Sequence, residues 1–512
     1  MQTPLTLSEL IADGGPQRVL GDPGVIVAGL TYDSRQVKPG DLFFSTARDH
    51  EQERAHVQQA LNRGACAVVV RRWVADDARP AATIIESDSP RRLMGLVASR
   101  FFNAPSRRLE LVGITGTSGK TTTTYLLASI IEAAGLPCGI IGTIGIFVRG
   151  RKLYSGLTTP EALDFEEALA AMELAAVHTA AAEISSIGLE EGRVDQLSFR
   201  ACVFTNLGRD HLDYHLTLEK YFAAKLRLFT ELLPRSTYPE PVAVVRGDDA
   251  YGAQVLQAVA GRKLSFGMAP ELDVHPVEFA AGLDGISATI ATPGGRFEIN
   301  SPLLGQINLI NILGASAVSV ALGIESDAVV AGVRRCSGAP GRLEAVTAPA
   351  GVRVLVDYAH KPDALSAVLD ALRDLHPRRL ICVFGCGGDR DRGKRPIMGE
   401  IAGRRADVAI LTSDNPRTEP PLSIIEQVEA GLAATALPRM NERSARSSPG
   451  YVVEPDRREA IALALRISGP GDIVVIAGKG HEDYQLVGSR RLNFDDRAVV
   501  RELVSGDSAT TK

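Results

Sequence analysis

Apolar runs alternate with amphipathic stretches along most of the chain, and this alternation predicts its main elements. From about residue 109 onward, short β-branched runs are separated by segments with the 3.6-residue apolar period of helices. Strands that alternate with helices favour right-handed crossovers and a mainly parallel sheet. The pattern therefore predicts an α/β fold.

The first hundred or so residues show a smaller α/β pattern of their own. Strands are predicted over 25–35, 37–45 and 65–70, with a helix over 56–63. The first of these strands ends in Asp33, Ser34 and Arg35. These residues could bind a polar ligand, or they could form an Asx-type turn with a surface arginine. Residues 103–106 predict a linker.

The last third of the chain contains four strands that are apolar nearly throughout, over 352–357, 380–385, 408–413 and 473–477. Such strands are buried on both faces, and a helical segment separates each from the next. The pattern predicts a doubly wound, Rossmann-like domain. Glycines and charged residues follow every strand, so we expect the four loops to form one binding crevice.

Length and composition limit the domain count and the class of partner. A chain of 512 residues exceeds one ordinary core, and we predict domains over 1–108, 109–338 and 339–512. A charged fraction of 23% and a net charge of -5 favour small molecules over nucleic acid. Without a signal peptide or a membrane-length apolar run, the sequence predicts a cytoplasmic protein that does not contact membranes. We also expect a monomer.

Residues 109–125, LELVGITGTSGKTTTTY, are typical of a strand, a phosphate-binding loop and a helix. Gly116 and Gly119 let backbone N–H groups surround a polyphosphate at the helix N-terminus. Lys120 can neutralise the phosphates, and the Thr121 hydroxyl can hold Mg²⁺. Because the general pattern has glycine where this chain has Ile114, the match is to the narrower variant TGTxGKT. The expected nucleotide contacts here are Gly116, Thr117, Ser118, Gly119, Lys120, Thr121 and Thr122.

Polar residues that follow two further strands predict a divalent-cation site. Glu183 ends a strand over 179–184, and His211 lies in a polar segment after the strand over 200–207. With Thr121, they suit Mg²⁺, which prefers oxygen ligands and needs few protein groups when phosphates supply the rest. His211 keeps two interpretations, because imidazole is a softer ligand than Mg²⁺ prefers and a core histidine is a common alternative.

A series of motifs extends over nearly the whole chain. In order, they are DSRxVxPGDLF, TGTSGKTT, LTTP, EISS, TNLGRDHLDYH, AAKLRLF, LLGQINLIN, GRLE, VDYAHKPDAL, GGDRDRGKRP, DNPRTEP and AGKGHEDYQ. Together these motifs resemble those of the Mur ligases. The resemblance implies one domain for a UDP sugar, a central P-loop ATPase and a C-terminal domain for the incoming amino acid.

The resemblance also implies an activity. It is closest to the Mur ligases that use ATP and Mg²⁺ to join meso-diaminopimelate to UDP-N-acetylmuramoyl-L-Ala-D-Glu in peptidoglycan synthesis. An acyl phosphate is the implied intermediate, since a carboxylate at neutral pH is a poor acyl donor. Lys120, Glu183 and His211 fit the implied phosphate and metal roles.

Other site residues follow only from the resemblance. Lys225, which its amphipathic pattern alone would place on a solvated helix face, is implied to form a carbamate with CO₂ and to hold a second Mg²⁺. The implied nucleotide contacts are Asn308, Arg342, Asp357 and His360. The acceptor contacts expected are Ser34, Thr158, Thr159, Ser185 and Arg193. The amino-acid contacts expected are Arg390, Asp414, Asn415, Pro416, Arg417, Gly478 and Glu482.

Arg417 supports diaminopimelate over lysine. The two amino acids differ by a distal carboxylate, which a planar guanidinium can bind with two charge-assisted hydrogen bonds. Lysine would leave this guanidinium unpaired in a desolvated site. Glu482 suits the distal ammonium group. The intact DNPR motif therefore favours meso-diaminopimelate as the amino-acid substrate.

Departures from the family pattern lie on the UDP-muramyl side. Ile187 and Glu191 stand where the family usually has histidine and glutamine, and the charged segment 48–54 replaces a glycine-rich loop. A Mur-type ligase with a different acceptor and a non-catalytic nucleotide-binding paralogue therefore stay open. A folylpolyglutamate synthetase shares the loop variant, but DNPR and the first region argue against it. The absence of a GxGxxG fingerprint disfavours a nicotinamide enzyme.

Overall fold

A computed structural model describes residues 4–15, 17–47, 49–73, 82–154, 156–349 and 351–506. The chain forms two compact units. Unit one comprises Met1–His275, Thr292–Gly294 and Gly314–Val329, and unit two comprises Pro276–Ala291, Gly295–Leu313 and Val330–Lys512. The predicted α/β class is confirmed, while the three domain boundaries stay a prediction. Within the described ranges, no helix is long and apolar enough to cross a membrane.

The first part of unit one forms a five-stranded sheet. Its elements are β1 (Leu5–Thr6), α1 (Leu7–Ile11), β2 (Gln17–Leu20), β3 (Ile26–Val27), β4 (Gly29–Thr31), β5 (Asp41–Phe44), α2 (His50–Asn62), β6 (Ala67–Val70), β7 (Thr83–Ser87) and α3 (Pro90–Phe101). The strand order is β2-β7-β6-β5-β4, with only β2 antiparallel to its neighbour. All residues of β5 and β6 are buried, as expected for apolar strands covered on both faces.

The central part of unit one is built on an eight-stranded sheet. Its elements are β8 (Glu110–Thr115), α4 (Lys120–Ala133), β9 (Cys138–Gly142), β10 (Gly145–Val148), β11 (Arg151–Tyr154), α5 (Ala162–Leu174), β12 (Thr179–Glu183), α6 (Ser186–Glu190), β13 (Ala201–Phe204), α7 (Leu212–His215), α8 (Leu218–Arg227), β14 (Val242–Arg246), α9 (Ala250–Ala258) and β15 (Arg262–Phe266). The strand order is β11-β10-β9-β12-β8-β13-β14-β15. The six strands from β9 to β15 in this order are parallel. The carboxyl ends of β9, β12, β8 and β13 therefore lie side by side.

Three successive strands then depart from the predicted alternation of strand and helix. They are β16 (His275–Gly282), β17 (Gly285–Thr292) and β18 (Gly295–Ser301), and they form a separate sheet. Two-residue connections at 283–284 and 293–294 join them directly, which leaves no chain for a crossover helix. Two helices, α10 (Gln306–Ala321) and α11 (Ser326–Arg335), follow.

The rest of unit two is the predicted doubly wound domain. Its elements are β19 (Glu344–Val346), β20 (Arg353–Asp357), α12 (Pro362–Arg373), β21 (Leu380–Phe384), α13 (Lys394–Arg405), β22 (Val408–Leu411), α14 (Pro421–Ala433), α15 (Glu442–Ala445), β23 (Gly450–Val453), α16 (Arg457–Ile467), β24 (Ile473–Ala477), β25 (Tyr484–Val487), β26 (Arg490–Asn493) and α17 (Asp496–Ser505). The sheet order is β19-β20-β24-β21-β22-β23, parallel from β20 to β23. Apolar clusters cover both faces of this sheet.

Glycines bring α13 and α14 into backbone contact. A Cβ atom added to Gly399 would lie 2.1 Å from the carbonyl oxygen of Val428, and one added to Gly431 would lie 1.8 Å from that of Pro396. No side chain larger than hydrogen fits at either position without moving a helix. Because α13 follows β21 and α14 follows β22, this contact also fixes the spacing of the loops that precede these helices.

Candidate active site

The loop between β8 and α4 depends on two glycines. Gly116 has a φ of +148°, and a Cβ atom there would lie 1.9 Å from Oγ1 of Thr205. Gly119, with a φ of +85°, is the N-cap of α4. Both conformations favour glycine, so the loop can curl and leave the N-terminus of α4 open to a ligand. The predicted strand, loop and helix are present.

A second loop, after β13, braces the first. The Ser118 N–H donates to Oδ1 of Asn206 at 3.0 Å, and Nδ2 of Asn206 donates back to the Ser118 carbonyl at 3.1 Å. The Thr117 N–H donates to the Asn206 carbonyl at 3.0 Å. Sequence reasoning gave Asn206 no role of its own. Its position after a strand adjacent to β8 was the available signal.

Glu183 connects three strand ends. The residue is 1% exposed. Its carboxylate accepts one hydrogen bond from the Thr121 hydroxyl and two from Thr143, from the hydroxyl and the N–H, each at 3.0 Å. The structure thus brings Thr121 and Glu183 together as predicted, and it adds Thr143, which follows β9. Carboxylate and hydroxyl oxygens are the ligands that Mg²⁺ prefers. Among the residues with described positions, no group of three or more His, Cys, Asp or Glu is arranged to hold a metal ion.

Two lysines share one carbonyl oxygen. Nζ of Lys120 donates to the Gly116 carbonyl at 2.7 Å, and Nζ of Lys225 donates to the same oxygen at 2.9 Å. Lys225 is 1% exposed, and its Nζ lies 4.7 Å from the centre of the Tyr221 ring. Burial, together with the positive charge of Lys120, holds the pKa of Lys225 well below its usual range. The solvated-face interpretation of Lys225 is therefore wrong.

His211 lies near this loop but outside the core. It has a φ of +53° and a side chain that is 38% exposed, and its ring centre is 6.1 Å from that of Tyr221. The Tyr221 hydroxyl is 3.0 Å from Oγ1 of Thr117 in the phosphate-binding loop. The buried histidine of this segment is instead His215, whose Nε2 is 2.9 Å from the Ser186 hydroxyl. The contact of His211 with a metal stays a prediction.

Four predicted acceptor contacts form one cluster around the carboxyl end of β12. The Thr159 hydroxyl donates to the Glu183 carbonyl at 2.9 Å and accepts from the Ser185 N–H at 2.8 Å. Nη1 of Arg193 donates to the Thr159 carbonyl at 2.9 Å. The Thr158 hydroxyl is 3.1 Å from that of Thr143. The predicted acceptor and metal residues therefore share supports around Glu183.

The fifth predicted acceptor contact, Ser34, lies after β4. It is buried, and its hydroxyl donates to Oε1 of Gln59 at 2.6 Å. Its neighbour Asp33 accepts from the Arg35 N–H at 3.0 Å, which is the Asx-type turn that the sequence left open. The acceptor role of Ser34 stays a prediction. In the charged segment 48–54, Arg48 lies outside the described residues.

Three predicted nucleotide contacts of unit two lie together. Asp357 is buried and accepts from the N–H groups of Leu343 and Ala359, both at 2.8 Å. Burial raises the pKa of Asp357, although nearby Arg342 opposes the shift. Burial also lowers the pKa of His360 to about 4.

The remaining contacts in this region are local. Arg342 stacks 5.0 Å from the Tyr358 ring centre, and Tyr358 also contacts His360, with 4.6 Å between the ring centres. Asn308 is buried on α10, and its Nδ2 donates to the Leu304 carbonyl at 2.8 Å. The contact of these residues with a nucleotide stays a prediction.

A buried lysine organises the predicted amino-acid site. Nζ of Lys479 donates to Oδ1 of Asn415 at 2.9 Å and lies 3.4 Å from Oδ1 of Asp414. Nδ2 of Asn415 donates to Oε2 of Glu482 at 2.9 Å, and burial raises the pKa of Glu482. Gly478, with a φ of +120°, has space for no Cβ atom, since one would lie 2.8 Å from Oδ2 of Asp414. Lys479 was missed, although its place between two glycines after β24 was a signal.

Arg417 is held in a strained conformation beside this cluster. Its φ is +53°. Its N–H donates to the Leu486 carbonyl at 3.0 Å, and its carbonyl accepts from the Gly488 N–H at 2.7 Å. Nη1 of Arg417 donates to the carbonyl of Gly388 at 2.7 Å. Non-glycine residues in this conformation cluster at functional sites.

The loops after β21 and β22 are interlocked. The Gly388 N–H donates to the Asn415 carbonyl at 2.9 Å, and a Cβ atom on Gly388 would lie 1.9 Å from the Pro416 carbonyl oxygen. Asp389 accepts from the N–H of Thr418 at 3.0 Å and from its hydroxyl at 2.7 Å. Arg390 follows on the same loop and is exposed. The predicted amino-acid contacts thus lie on loops with little freedom to move apart.

Gly116→Ala is expected to abolish nucleotide binding, because the new Cβ would collide with Thr205 and distort the loop. Gly135→Ala is the matched control. Its φ of +80° imposes a similar backbone cost, but nothing lies within 4 Å of the added atom. Calorimetric titration with ATP measures the difference. Equal affinities for the two variants would contradict a steric requirement at position 116.

Comparisons with known proteins give the family context. The model for "Mur ligase middle domain" matches residues 114–319, and that for "Mur ligase, glutamate ligase domain" matches 341–480. A relative from Geobacter metallireducens, named UDP-N-acetylmuramoyl-L-alanyl-D-glutamate--2,6-diaminopimelate ligase, is 42% identical over 98% of this chain and 99% of its own. A relative of the same name from Solibacter usitatus is 42% identical over 94% of each chain.

Solved structures agree with this family context. A structure of an enzyme with that same name has a TM-score of 0.69 and 33% identity, and the match covers 99% of this chain and 100% of that one. A folylpolyglutamate synthase from Mycobacterium tuberculosis has a TM-score of 0.60 at 19% identity, covering 81% and 96%. The second similarity shows the fold alone.

Proposed function

The chain belongs to the Mur ligase family, and we propose that it uses ATP to join meso-diaminopimelate to UDP-N-acetylmuramoyl-L-Ala-D-Glu in peptidoglycan synthesis. The observation that carries this proposal is the charged cluster of Asn415, Lys479 and Glu482 beside the strained Arg417. It offers an acid for an ammonium group and a guanidinium for a carboxylate, as a diamino dicarboxylic acid requires.

The proposed reaction has two steps. The D-Glu side-chain carboxylate of the acceptor attacks the γ-phosphorus of ATP, which forms an acyl phosphate and releases ADP. An amine of diaminopimelate then attacks the acyl carbon, the amide bond forms, phosphate leaves and the amine loses a proton to solvent. Phosphoryl transfer of this kind depends on positioning and charge neutralisation. The N–H groups at the start of α4 and the Lys120 ammonium supply both.

We propose Thr121, Glu183, His211 and carbamylated Lys225 as the residues that hold Mg²⁺. When bound, Mg²⁺ neutralises phosphate charge. The oxygen atoms of Thr121 and Glu183 are already 3.0 Å apart, so the chain presents a hard-ligand pair next to the phosphate-binding loop. Glu183 is also fixed by Thr143, which keeps its carboxylate oriented when phosphates approach.

Carbamylation of Lys225 fits its surroundings. The neutral amine attacks CO₂, a nitrogen–carbon bond forms, and the amine releases a proton, so a cation becomes an anion. Burial and the nearby Lys120 lower the pKa of Lys225, which increases the neutral fraction that reacts. The negative charge of the resulting carbamate would attract the Lys120 ammonium group, whereas a protonated Lys225 repels it.

The substrates suggest location and partners. ATP and UDP-linked precursors are small molecules of the cytoplasm, so we propose a cytoplasmic enzyme that acts as a monomer without nucleic acid or membrane partners. We also keep Asn308, Arg342, Asp357 and His360 as proposed nucleotide contacts, and Ser34, Thr158, Thr159, Ser185 and Arg193 as proposed acceptor contacts. Arg390, Asp414, Asn415, Pro416, Arg417, Gly478 and Glu482 remain the proposed amino-acid contacts.

Phosphate release tests the function directly. Purified protein with ATP, Mg²⁺ and UDP-N-acetylmuramoyl-L-Ala-D-Glu is expected to release phosphate with meso-diaminopimelate but not with L-lysine, and mass spectrometry is expected to show the amide. Omitting the acceptor or the amine should stop turnover. Turnover of diaminopimelate only with a different acceptor would contradict the proposed acceptor, and ATP binding without any turnover would favour a binding protein.

Lys225→Ala is expected to abolish turnover, because the carbamate cannot form. Small carboxylates such as formate are expected to restore part of the activity by occupying the vacated space with a negative charge. Lys220→Ala, an exposed lysine on the same helix, is the matched control and should keep activity. Full activity of Lys225→Ala without added carboxylate would rule out the carbamate.

Arg417→Ala is expected to raise KM for diaminopimelate by about tenfold to a hundredfold, because a charge-assisted contact with the distal carboxylate is lost. The preference over L-lysine should narrow, while KM for ATP stays the same. Arg392→Ala removes a guanidinium whose side chain is 70% exposed and serves as the control. An unchanged preference in Arg417→Ala would show that another group binds the distal carboxylate.

A further inference from the structure

The unusual acid Glu191 is part of a four-membered charge cluster. Its Oε2 lies 2.7 Å from Nη1 of Arg91 and also pairs with Nη2 of Arg193. Glu161 completes the group, with Oε1 at 3.3 Å from Arg193 and 3.6 Å from Arg91. The side chains of Arg193, Glu161 and Glu191 are 9%, 9% and 11% exposed, so water screens their charges poorly.

The cluster borders the proposed acceptor site. Arg193 donates to the Thr159 carbonyl, and Thr159 in turn contacts Glu183 and Ser185. Arg91 comes from α3, in the first part of the chain, and lines a cavity of about 270 Å³. Arg71 and Arg92 line the same cavity. The cluster therefore connects the acceptor residues around the carboxyl end of β12 with a pocket that contains three guanidinium groups.

The charges in the cluster cancel only because Arg91 is present. Two guanidinium groups face two carboxylates, which gives a net charge of zero for the four side chains. Without Arg91, the remaining three side chains, Glu161, Glu191 and Arg193, would carry a net charge of minus one. The proposed acceptor carries a diphosphate and carboxylates, so a negative cluster beside its site would repel it.

We propose that Arg91 is a positioning residue for the anionic acceptor: it adds a second positive charge beside Glu161 and Glu191, so that Arg193 faces the substrate from a cluster with no net negative charge. The departure from glutamine at position 191 is thereby offset within the protein. Nε of Arg193 is buried without a hydrogen-bond partner among the described residues, so this guanidinium retains an unused donor. The inference rests on the proposed function, since it takes the UDP-muramyl dipeptide as the ligand.

A charge series tests the proposal. The net charge is counted over positions 91, 161, 191 and 193. It is zero in the wild type, minus one in Arg91→Met, plus one in Glu191→Gln and zero in the double variant. Isothermal titration with UDP-N-acetylmuramoyl-L-Ala-D-Glu should show that Arg91→Met raises Kd about tenfold, as expected for an uncompensated charge beside an anionic ligand. The double variant should return to within about threefold of wild type, and Glu191→Gln should bind at least as tightly as wild type.

Kinetics add a readout that a purely structural role would not move. In Arg91→Met, KM for the acceptor should rise while kcat and the KM values for ATP and diaminopimelate stay unchanged. Arg91→Lys keeps the charge and should retain most of the affinity. If Arg91→Met fails to fold, the comparison of Arg91→Lys with Glu191→Gln still tests the charge rule, and weaker binding by Glu191→Gln would overturn it.

Arg92→Met is the matched control, because Arg92 lines the same cavity and its Nε lies 3.6 Å from Oδ2 of Asp195. Adding Glu191→Gln should change the affinity of Arg92→Met by no more than it changes the affinity of the wild type, whereas it should change that of Arg91→Met by more. A double variant of Arg91 and Glu191 that binds no better than Arg91→Met would overturn the inference. Failure of the wild type to bind or turn over this acceptor would instead overturn the proposed function.

Discussion

One buried carboxylate holds the ligand-facing loops of unit one in place. Glu183 ends β12, which lies between β8 and β9, and it accepts three hydrogen bonds, one from Thr121 at the start of α4 and two from Thr143 after β9. Its own carbonyl accepts from Thr159, the residue to which Arg193 also donates. A buried carboxylate that loses its donors is costly, so each of these loops is constrained by the same requirement. The proposed metal and acceptor residues are therefore not independent sites.

The second constraint is electrostatic. Lys120 and Lys225 donate to one carbonyl oxygen, and Lys225 is almost completely buried. Two ammonium groups this close in a medium of low polarity repel each other, so the protonated form of Lys225 is disfavoured. A chemical change that turns Lys225 into an anion relieves the repulsion. The carbamate proposed above would be one such anion.

The sequence pattern predicts two kinds of feature well: the bounds of apolar strands, and the polar residues that meet where parallel strands end. The four C-terminal strands lie within two residues of their predicted bounds, and polar residues after β8 and β12 meet because parallel strands end at one edge. Contacts between segments distant in sequence were beyond this reasoning. Arg91 looks like an ordinary basic residue until the fold places Glu191 against it.

Amphipathic periodicity also has limits of its own. It placed Lys225 on a solvated face because the pattern of α8 does not reveal that the phosphate-binding loop covers that face. The prediction of alternating strands and helices also passed over β16, β17 and β18, although Asp284-Gly285 and Gly294-Gly295 at their two-residue connections are typical of hairpins. For Lys225 the missing information was the identity of the neighbouring segment, whereas for these strands a local signal was present.

The backbone contact of α13 with α14 has a consequence for how amino-acid preference can evolve. Gly399 and Gly431 leave no space between the helices, and Gly388 leaves none between the loops that precede them. An insertion or a larger residue at these positions would disturb the packing of the whole domain. A descendant with a different amino-acid substrate is therefore reached by exchanging side chains on an unchanged backbone, so specificity can diverge by single substitutions while the scaffold is inherited intact.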